Sequence, residues 1–516
     1  MGNVLERTAL SPNIRDRLDF SCAVLDATGT LVQNAPHLPV HLGALGICTR
    51  AVKDALWLAD GDIAVTNHPA FGGSHLPDVT TVAPVFLDGA RVAFVAVRAH
   101  HAEIGGTRPG SFPPDARSLA EEGVVLPPFL AVRAGEFDVA GCRARFAGGP
   151  HPSRNPDENL ADLQAQIAAT RYGVAQVAAL AREMRPNFGG RCEGELLRAQ
   201  CAVVAAMDTF FSRDPDRLDR GARGEVLLDD GSRIVAEVKP PHLAQRPSAA
   251  DPEASWKIRV EISSDTNPHP HNFNAPLAVT RAAVLYVLRL LINAPVPMNE
   301  GMLRAIDLRI PTSMLNPVFT ADPKRCVPVV AGNVETSQSV VAALIACFGF
   351  AAESQSTMNN VLFGNDRFTI YETLGGGAGG GMSGSGASAV HVHMSNTRLT
   401  DIDVLERRAP VVIRRFEVRA GSGSAGIHAG GDGMLREYEF REPVSLSFFG
   451  SRRTQAPYDH SPHGVQHGGP RSARPGTQWI TIGGRTIERP QSVLSLEFAP
   501  GDRFGVATPG GGSYSP

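Results

Sequence analysis

The sequence predicts a mixed α+β protein of several domains, and three observations carry that expectation. Short apolar runs alternate with Gly, Pro and His clusters through residues 16–130, and two long helical patterns follow. After residue 400, short apolar runs return between Gly turns. With 516 residues, 43 % apolar and 20 % charged, the chain has material for two or three ordinary domains. The expected division is a metal-site domain over residues 1–212, a central α+β domain over 213–400 and a β-rich domain over 401–516.

In the first part, Ile63–Thr66, Thr80–Phe86 and Val92–Ala99 read as strands separated by His-bearing loops. Asn155-Pro156-Asp157-Glu158 then opens a helix, with a capping Asn, Pro at the first helical position and acids in the first turn. Leu160, Leu163, Ile167, Val174, Val177 and Ala181 continue it at helical spacing. Pro186 to Gly190 breaks it, and a second helix over Leu196 to Phe211 completes a hairpin closing the first domain. Alternation in Gly224–Val238 and Trp256–Ile262 predicts antiparallel strands. Helices follow at 276–293 and 337–348, and strands at Arg414–Arg419, Glu437–Phe440 and Val444–Phe449.

Bulk properties exclude several functions. A formal net charge of −3 gives no reason to expect nucleic acid or an anionic membrane as partner. The longest apolar stretch, Pro276 to Ala294, carries Arg281 and Arg289 and reads as a buried helix. Seven scattered Cys without a C-x-x-C pair, and a first segment without signal-peptide character, predict a cytoplasmic chain with reduced thiols.

Sixteen His give the chemistry its first focus. Asn34-Ala35-Pro36-His37-Leu38-Pro39-Val40-His41, Gly72-Gly73-Ser74-His75-Leu76-Pro77-Asp78 and Arg98-Ala99-His100-His101-Ala102-Glu103 lie in loops at strand ends. Borderline divalent ions draw imidazole and carboxylate ligands from such separate loops. The alternative is a set of loop histidines satisfied by backbone groups. If Val92–Ala99 is a strand, His100 and His101 point to opposite faces, and only one of them is a ligand.

A second feature is Asn333-Val334-Glu335-Thr336-Ser337-Gln338, running into an apolar helix. Polar side chains and free N–H groups at a helix start could take a phosphate, or could simply cap the helix. A third is the run Gly375-Gly376-Gly377-Ala378-Gly379-Gly380-Gly381, followed by His391, His393, Asn396 and Thr397. No G-x-x-x-x-G-K-[ST] is present, so the run reads as a tight loop pressed on another backbone and not as a nucleotide P-loop.

These segments resemble the hydantoinase B family. The resemblance rests on Arg17-Leu18-Asp19-Phe20-Ser21-Cys22 and the three His-bearing segments. Gly332-Asn333-Val334-Glu335-Thr336-Ser337-Gln338, Met358-Asn359-Asn360, His393-Met394-Ser395-Asn396-Thr397-Arg398 and Thr508-Pro509-Gly510-Gly511-Gly512 extend it along nearly the whole chain. It looks most like the C-terminal half of fused 5-oxoprolinases or the free-standing bacterial B subunit.

The resemblance implies ATP-dependent opening of a cyclic amide, such as 5-oxoproline or a hydantoin, in a cytoplasmic hetero-oligomer. A hydantoinase A-like subunit would use the ATP, and this chain would hydrolyse. It implies a divalent ion, Zn, Mn or Fe-like, on His75, Asp78 and His100, with Asp19 and His41 as weaker candidates. His101 or Glu103 would serve as general base, although Glu103 stands where the family often has Asp. Asn333, Glu335 and Gln338 would act catalytically. Asn333, Thr336, Ser337, Asn359, Asn360, His393 and Asn396 would bind phosphate or substrate. Ser263-Ser264-Asp265-Thr266 departs from the family pattern. Two other readings are the matching subunit of a ketone carboxylase and a non-catalytic scaffold for the ATP-using partner.

Overall fold

Seven strands organise the first third of the chain: β1 (Phe20–Asp26), β2 (Leu31–Asn34), β3 (Ile63–Thr66), β4 (Asp78–Leu87), β5 (Ala90–His100), β6 (Phe129–Arg133) and β7 (Glu136–Phe137). They pair antiparallel in the order β2-β1-β5-β4-β3-β6-β7. Residues Ala93–His100 of β5 are all buried, because helices cover both faces of the sheet. The helix Pro39–Ala55 packs Leu42, Leu45, Cys48 and Val52 on one face, against Ala23, Leu25, Val82, Phe94 and Ala96. The helix Pro156–Glu183 lies on the other face, along β4 and β5. Its start is as expected: the Asn155 side chain accepts from the Glu158 N–H, and Pro156 takes the first turn. The computed structural model describes the chain except Pro36, His37, Pro215, residues 241–256, Asn293, Pro462, His463, Gly469 and Pro470. His37 and Trp256 of the sequence expectations lie outside the described residues.

The second long helix runs Phe188–Ser212, eight residues earlier than Leu196. Phe188 anchors its first turn on Val32, Cys192 and Leu196, so the Gly189-Gly190 pair is carried inside the helix. Its last turns do not close the first sheet. Val203, Met207, Phe210 and Phe211 enter a central core with helices Leu277–Leu291 and Ser337–Phe348 and strands Ala222–Leu227, Arg233–Lys239 and Ile258–Ser264. Strands Asn360–Gly364 and Thr369–Thr373, placed by sequence in the central part, hydrogen-bond into a sheet with Val444–Phe449 and Val493–Phe498. A five-stranded sheet beginning with Val411–Arg419 and Gly433–Phe440 shares their core, through Phe363, Tyr438, Phe440, Phe448 and Phe504. No described helix is long and apolar enough to cross a membrane.

The glycine run works by backbone contact. A Cβ on Gly377 would stand 2.0 Å from the Gly431 carbonyl oxygen, and one on Gly379 2.2 Å from that of Ala352. Only glycine allows such approach.

A buried carboxylate ties the first part to the central one. Glu122 accepts from the Val329 and Val330 N–H groups at 2.9–3.0 Å, and burial raises its pKa to about 8. Between the ordinary glutamate value and about 8, the folded chain keeps a proton that the unfolded chain has released. This contribution to stability is therefore complete at low pH and is lost as pH rises toward 8. Glu122→Gln should flatten the fall in thermal midpoint between pH 5 and pH 8 relative to wild type. Parallel curves for the two proteins in scanning fluorimetry would refute this.

Candidate metal centre

Three strand ends and one helix start meet at one end of the first sheet. Asp78 opens β4 and His100 closes β5, and the two are register partners across the ladder. Asp19 directly precedes β1, and its carbonyl accepts the His100 N–H at 3.0 Å. His75 comes from the loop before β4, and His41 from the first turn of the helix Pro39–Ala55. All five are at least 95 % buried.

The side chains converge. His75 Nε2 lies 3.2 Å and His100 Nδ1 3.4 Å from Asp78 Oδ1, while His41 Nε2 lies 3.2 Å from Asp78 Oδ2. Ligand atoms of His75, Asp78 and His100 all fall within 4.8 Å of one another. Asp19 stands at 3.8 Å from His100 and 3.9 Å from His41. Burial alone would raise the Asp78 carboxyl, but the adjacent imidazoles of His75, His41 and His100 hold it well below the usual range. Burial lowers the pKa of His100, against the pull of Asp19, and so favours the neutral ring that a metal needs.

The donor set fits a divalent ion. Asp78 Oδ1, Asp19 Oδ1 and both ring nitrogens of His75 are buried without hydrogen-bond partners. Unpaired buried polar atoms are costly, about 1–3 kcal/mol each, and one ligand atom from each of His75, Asp78 and His100 lies within 4.8 Å of the others. Supporting contacts hold the ligands: Ser74 Oγ donates to Asp78 Oδ2 at 2.5 Å, and buried Arg98 donates to Ser74 Oγ, Thr80 Oγ1 and the Gly72 carbonyl. Ser21 Oγ is 3.3 Å from His41 Nδ1.

The second half of the chain supplies most of the roof, and Phe112 of the first part adds to it. Tyr371 stacks on the His100 ring at 5.1 Å, and Phe112 meets His75 edge-on at 5.5 Å. Arg17 lies over the Tyr371 ring and donates to the Tyr371 carbonyl and to Thr373 and Thr397. The enclosed cavity, about 20 Å³, is also lined by Asn333, Met358, Ser395 and Thr397. It takes a water-sized occupant. A cleft of about 1060 Å³ elsewhere on the molecule shares none of its lining with this cluster.

Several expected site residues are not brought here. His101 faces the helix Pro156–Glu183, with Nε2 3.0 Å from Gln166 Oε1 and Nδ1 3.1 Å from Asn159 Nδ2, and it stacks on Phe146. Strand alternation separates it from His100. Glu103 accepts from Gly105 N, Gly110 N and Arg154, which leaves it no share in the cavity. Residues 333–338 are not a helix start, because Gly332–Thr336 form a π-helical turn continuing from Val330 and Ala331. The free N–H groups at the true start, Val329 and Val330, are taken by Glu122 and not by an external anion. A Cβ on Gly332 would fall 1.9 Å from the Asn274 carbonyl, so glycine is needed where the turn crosses that strand of chain.

Other polar groups of this region are spent internally. Glu335 accepts from Met358 N, Asn360 Nδ2 and Ser451 N. Thr336 and Ser337 donate to the Phe273 and Asn333 carbonyls. Asn359 is held by Gln355, Leu374 and Arg453, and Asn360 by Glu335, Phe449 and Tyr371. Asn396 is exposed between Ser395 and Thr397, which line the cavity. Asn333 Oδ1 and Gln338 Oε1 remain buried and unpartnered. Phe112 carried no sequence signal as a wall of the site, since it sits in an ordinary loop stretch.

A closed His–Asp–His cluster on the end of an antiparallel sheet marks a mixed α+β protein with a candidate metal centre. A family model described as Hydantoinase B/oxoprolinase matches residues 1–516, and the chain belongs to that family. It is 40 % identical to 5-oxoprolinase 1 of Arabidopsis thaliana over all of this chain and 40 % of that protein. An uncharacterized protein of Methanocaldococcus jannaschii is 31 % identical over all of this chain and 87 % of its own length. The first relatives are much longer, and the chain spans about two-fifths of their length. The fold is that of the crystal structure of an ATP-dependent caprolactamase from Pseudomonas jessenii, with TM-score 0.81 at 22 % identity, covering 99 % of this chain and 88 % of that one.

If the cluster holds a divalent ion, the purified chain supplied with Zn, Mn or Fe(II) should retain about one ion. His75→Ala and Asp78→Asn should lose it while keeping their circular dichroism, and His101→Asn should keep it. Elemental analysis checks this, and a wild-type chain that stays metal-free would overturn it.

Proposed function

We propose that this chain is the hydrolytic, B-type component of an ATP-dependent cyclic amide hydrolase. It would open a ring such as 5-oxoproline or a hydantoin after activation by a hydantoinase A-like subunit. The observation that carries the reading is the convergence of His75, Asp78 and His100 in a chain of the hydantoinase B/oxoprolinase family. Two facts support assigning ATP to a separate component: the sequence has no P-loop, and the chain covers about two-fifths of the single-chain relatives named 5-oxoprolinase. Seven free cysteines suit a reducing, cytoplasmic setting.

Amide hydrolysis at neutral pH is slow because the carbonyl is a poor electrophile and water a poor nucleophile. Phosphorylation of the amide oxygen by the partner addresses the first. His75, Asp78 and His100, with Asp19 and His41 beside them, would hold the ion that addresses the second. A bound divalent ion can lower the pKa of water from 15.7 to about 7. Asp19 and Asn333 offer unpartnered acceptor oxygens to the attacking water in the same cavity. We assign the proton acceptor to Asp19, because His101 and Glu103 are committed elsewhere. The walls close on a water-sized space, so the ring enters only when they part.

The test is reconstitution. Partner subunit, MgATP and this chain should together release ring-opened product from 5-oxoproline. With His100→Ala, product release should fall by at least about 100-fold while the partner still binds ATP. Full ring opening by that variant sinks the mechanism, and carboxylation of acetone in place of ring opening sinks the reaction class.

A further inference from the structure

A second hollow, about 410 Å³, is bounded in part by residues that hold the π-helical turn Gly332–Thr336. The Asn272 carbonyl accepts the Gly332 N–H at 2.9 Å, and the Phe273 carbonyl accepts the Thr336 hydroxyl at 2.7 Å. The Ser451 N–H donates to Glu335 Oε2 at 2.8 Å. None of the lining is shared with the metal cavity. The volume falls in the range of small-molecule sites, about 300–1,000 Å³.

Its walls have a definite chemistry. Leu228, Phe273 and Val493 give an apolar surface, and no lysine or arginine is among the described lining residues. Arg117, the cation felt at His271, is exposed, donates to the Pro270 carbonyl and lies outside the lining. Asn272 lines the hollow and has no exposed surface. Its Nδ2 donates to the Pro113 carbonyl at 2.9 Å, which fixes Oδ1 as the acceptor end of the amide, and Oδ1 has no partner. Asp230 is the second acceptor. His269 accepts the His271 N–H on Nδ1 at 3.0 Å, so its Nε2 carries a proton and donates to Asp230 Oδ2 at 2.6 Å. That bond pulls the Asp230 carboxyl down to about 2, and it stays charged at neutral pH. His269 and the Ser232 N–H take two of about four acceptor positions on this half-exposed carboxylate. Asp229, by contrast, is spent on the Arg453 and Thr454 N–H groups and on the Thr454 and Ser492 hydroxyls.

An apolar hollow with two free acceptors, one of them a carboxylate, and no cation in its lining complements a positive group that carries N–H donors on an apolar stem. We propose that this hollow binds a small organic ammonium ion. Its N–H groups donate to Asn272 Oδ1 and Asp230, and its alkyl stem lies against Leu228, Phe273 and Val493. A metal cation is not the occupant, because among the described residues only His75, Asp78 and His100 group closely enough to hold one. An anion would meet the Asp230 charge with no lysine or arginine in the lining to balance it. The site stands apart from the hydrolase reading and does not rest on it.

Calorimetry on the full chain compares three probes of similar shape: n-butylammonium, 1-butanol and pentanoate. Butylammonium should bind at least about tenfold more tightly than 1-butanol, and pentanoate should give no heat. Added salt should weaken the ammonium and leave 1-butanol unchanged. Asp230→Asn, at a half-exposed position, removes the charge and should weaken butylammonium by about tenfold while leaving 1-butanol unchanged. Asn272→Leu keeps the volume, removes the acceptor and should weaken butylammonium by about tenfold as well. No heat with butylammonium, equal binding of 1-butanol or pentanoate, or unchanged binding by either folded variant overturns the proposal. If Asn272→Leu does not fold, since it also frees the Pro113 carbonyl, Asp230→Asn alone decides. A tenfold loss in that variant supports the site, and no loss overturns it.

Discussion

A carboxylate with no exposed surface, placed at the end of a sheet, is the constraint on which the rest of this molecule depends. Asp78 is fully buried, and its charge is tolerable only because three imidazoles and the Ser74 hydroxyl surround it. That requirement fixes where the strands must end. β4 has to begin at Asp78 and β5 to finish at His100, because the ladder places those two opposite each other. It also fixes the loop before β4, whose His75 must fold back over the strand end. Arg98, on the same strand as His100, holds that loop from beneath by its bond to the Gly72 carbonyl.

Much of this was legible in the residues and some was not, for physical reasons. Strand periodicity was sufficient to separate His100 from His101, because alternate residues of β5 meet opposite helices. The caps of the helix Pro156–Glu183 were legible because they are local. The helix beginning at Phe188 was not, since its first turn is held by contact with Val32, far away in sequence. The same limit explains the segment 333–338. Locally it looks like a helix start with free N–H groups. The groups that are free begin at Val329, and the carboxylate that satisfies them comes from Glu122, some 200 residues earlier in the chain. A single sequence displays an open anion site where the fold has already supplied an internal acceptor.

That substitution shapes the centre. With Glu122 on the N–H groups of Val329 and Val330, the helix can enter the site along its side, through a π-helical turn. Such turns widen the helix and turn a side chain away from the regular register. Here the turn carries Asn333 into the cavity, while Gly332 makes room by crossing the chain at Asn274. Glu335, two residues on, is directed the other way and binds the backbone at Met358 and Ser451. One irregular turn therefore serves the cavity with one residue and anchors the roof with another.

The roof is what makes the site a property of the whole chain. Its aromatic and hydroxyl groups, Tyr371, Thr373 and Thr397, come from segments packed with the C-terminal sheets, whereas the ligands come from the first sheet. Arg17 is the clasp between them. Its guanidinium binds Tyr371, Thr373 and Thr397, and its own carbonyl accepts the Arg398 N–H at 3.0 Å. Arg17 lies two residues before Asp19, which lines the candidate metal cavity. The cavity is too small for a ring, and the clasp joins the roof by hydrogen bonds to a residue two positions from Asp19. The cluster therefore draws on both parts of the chain, its His and Asp side chains from the first and most of its roof from the second.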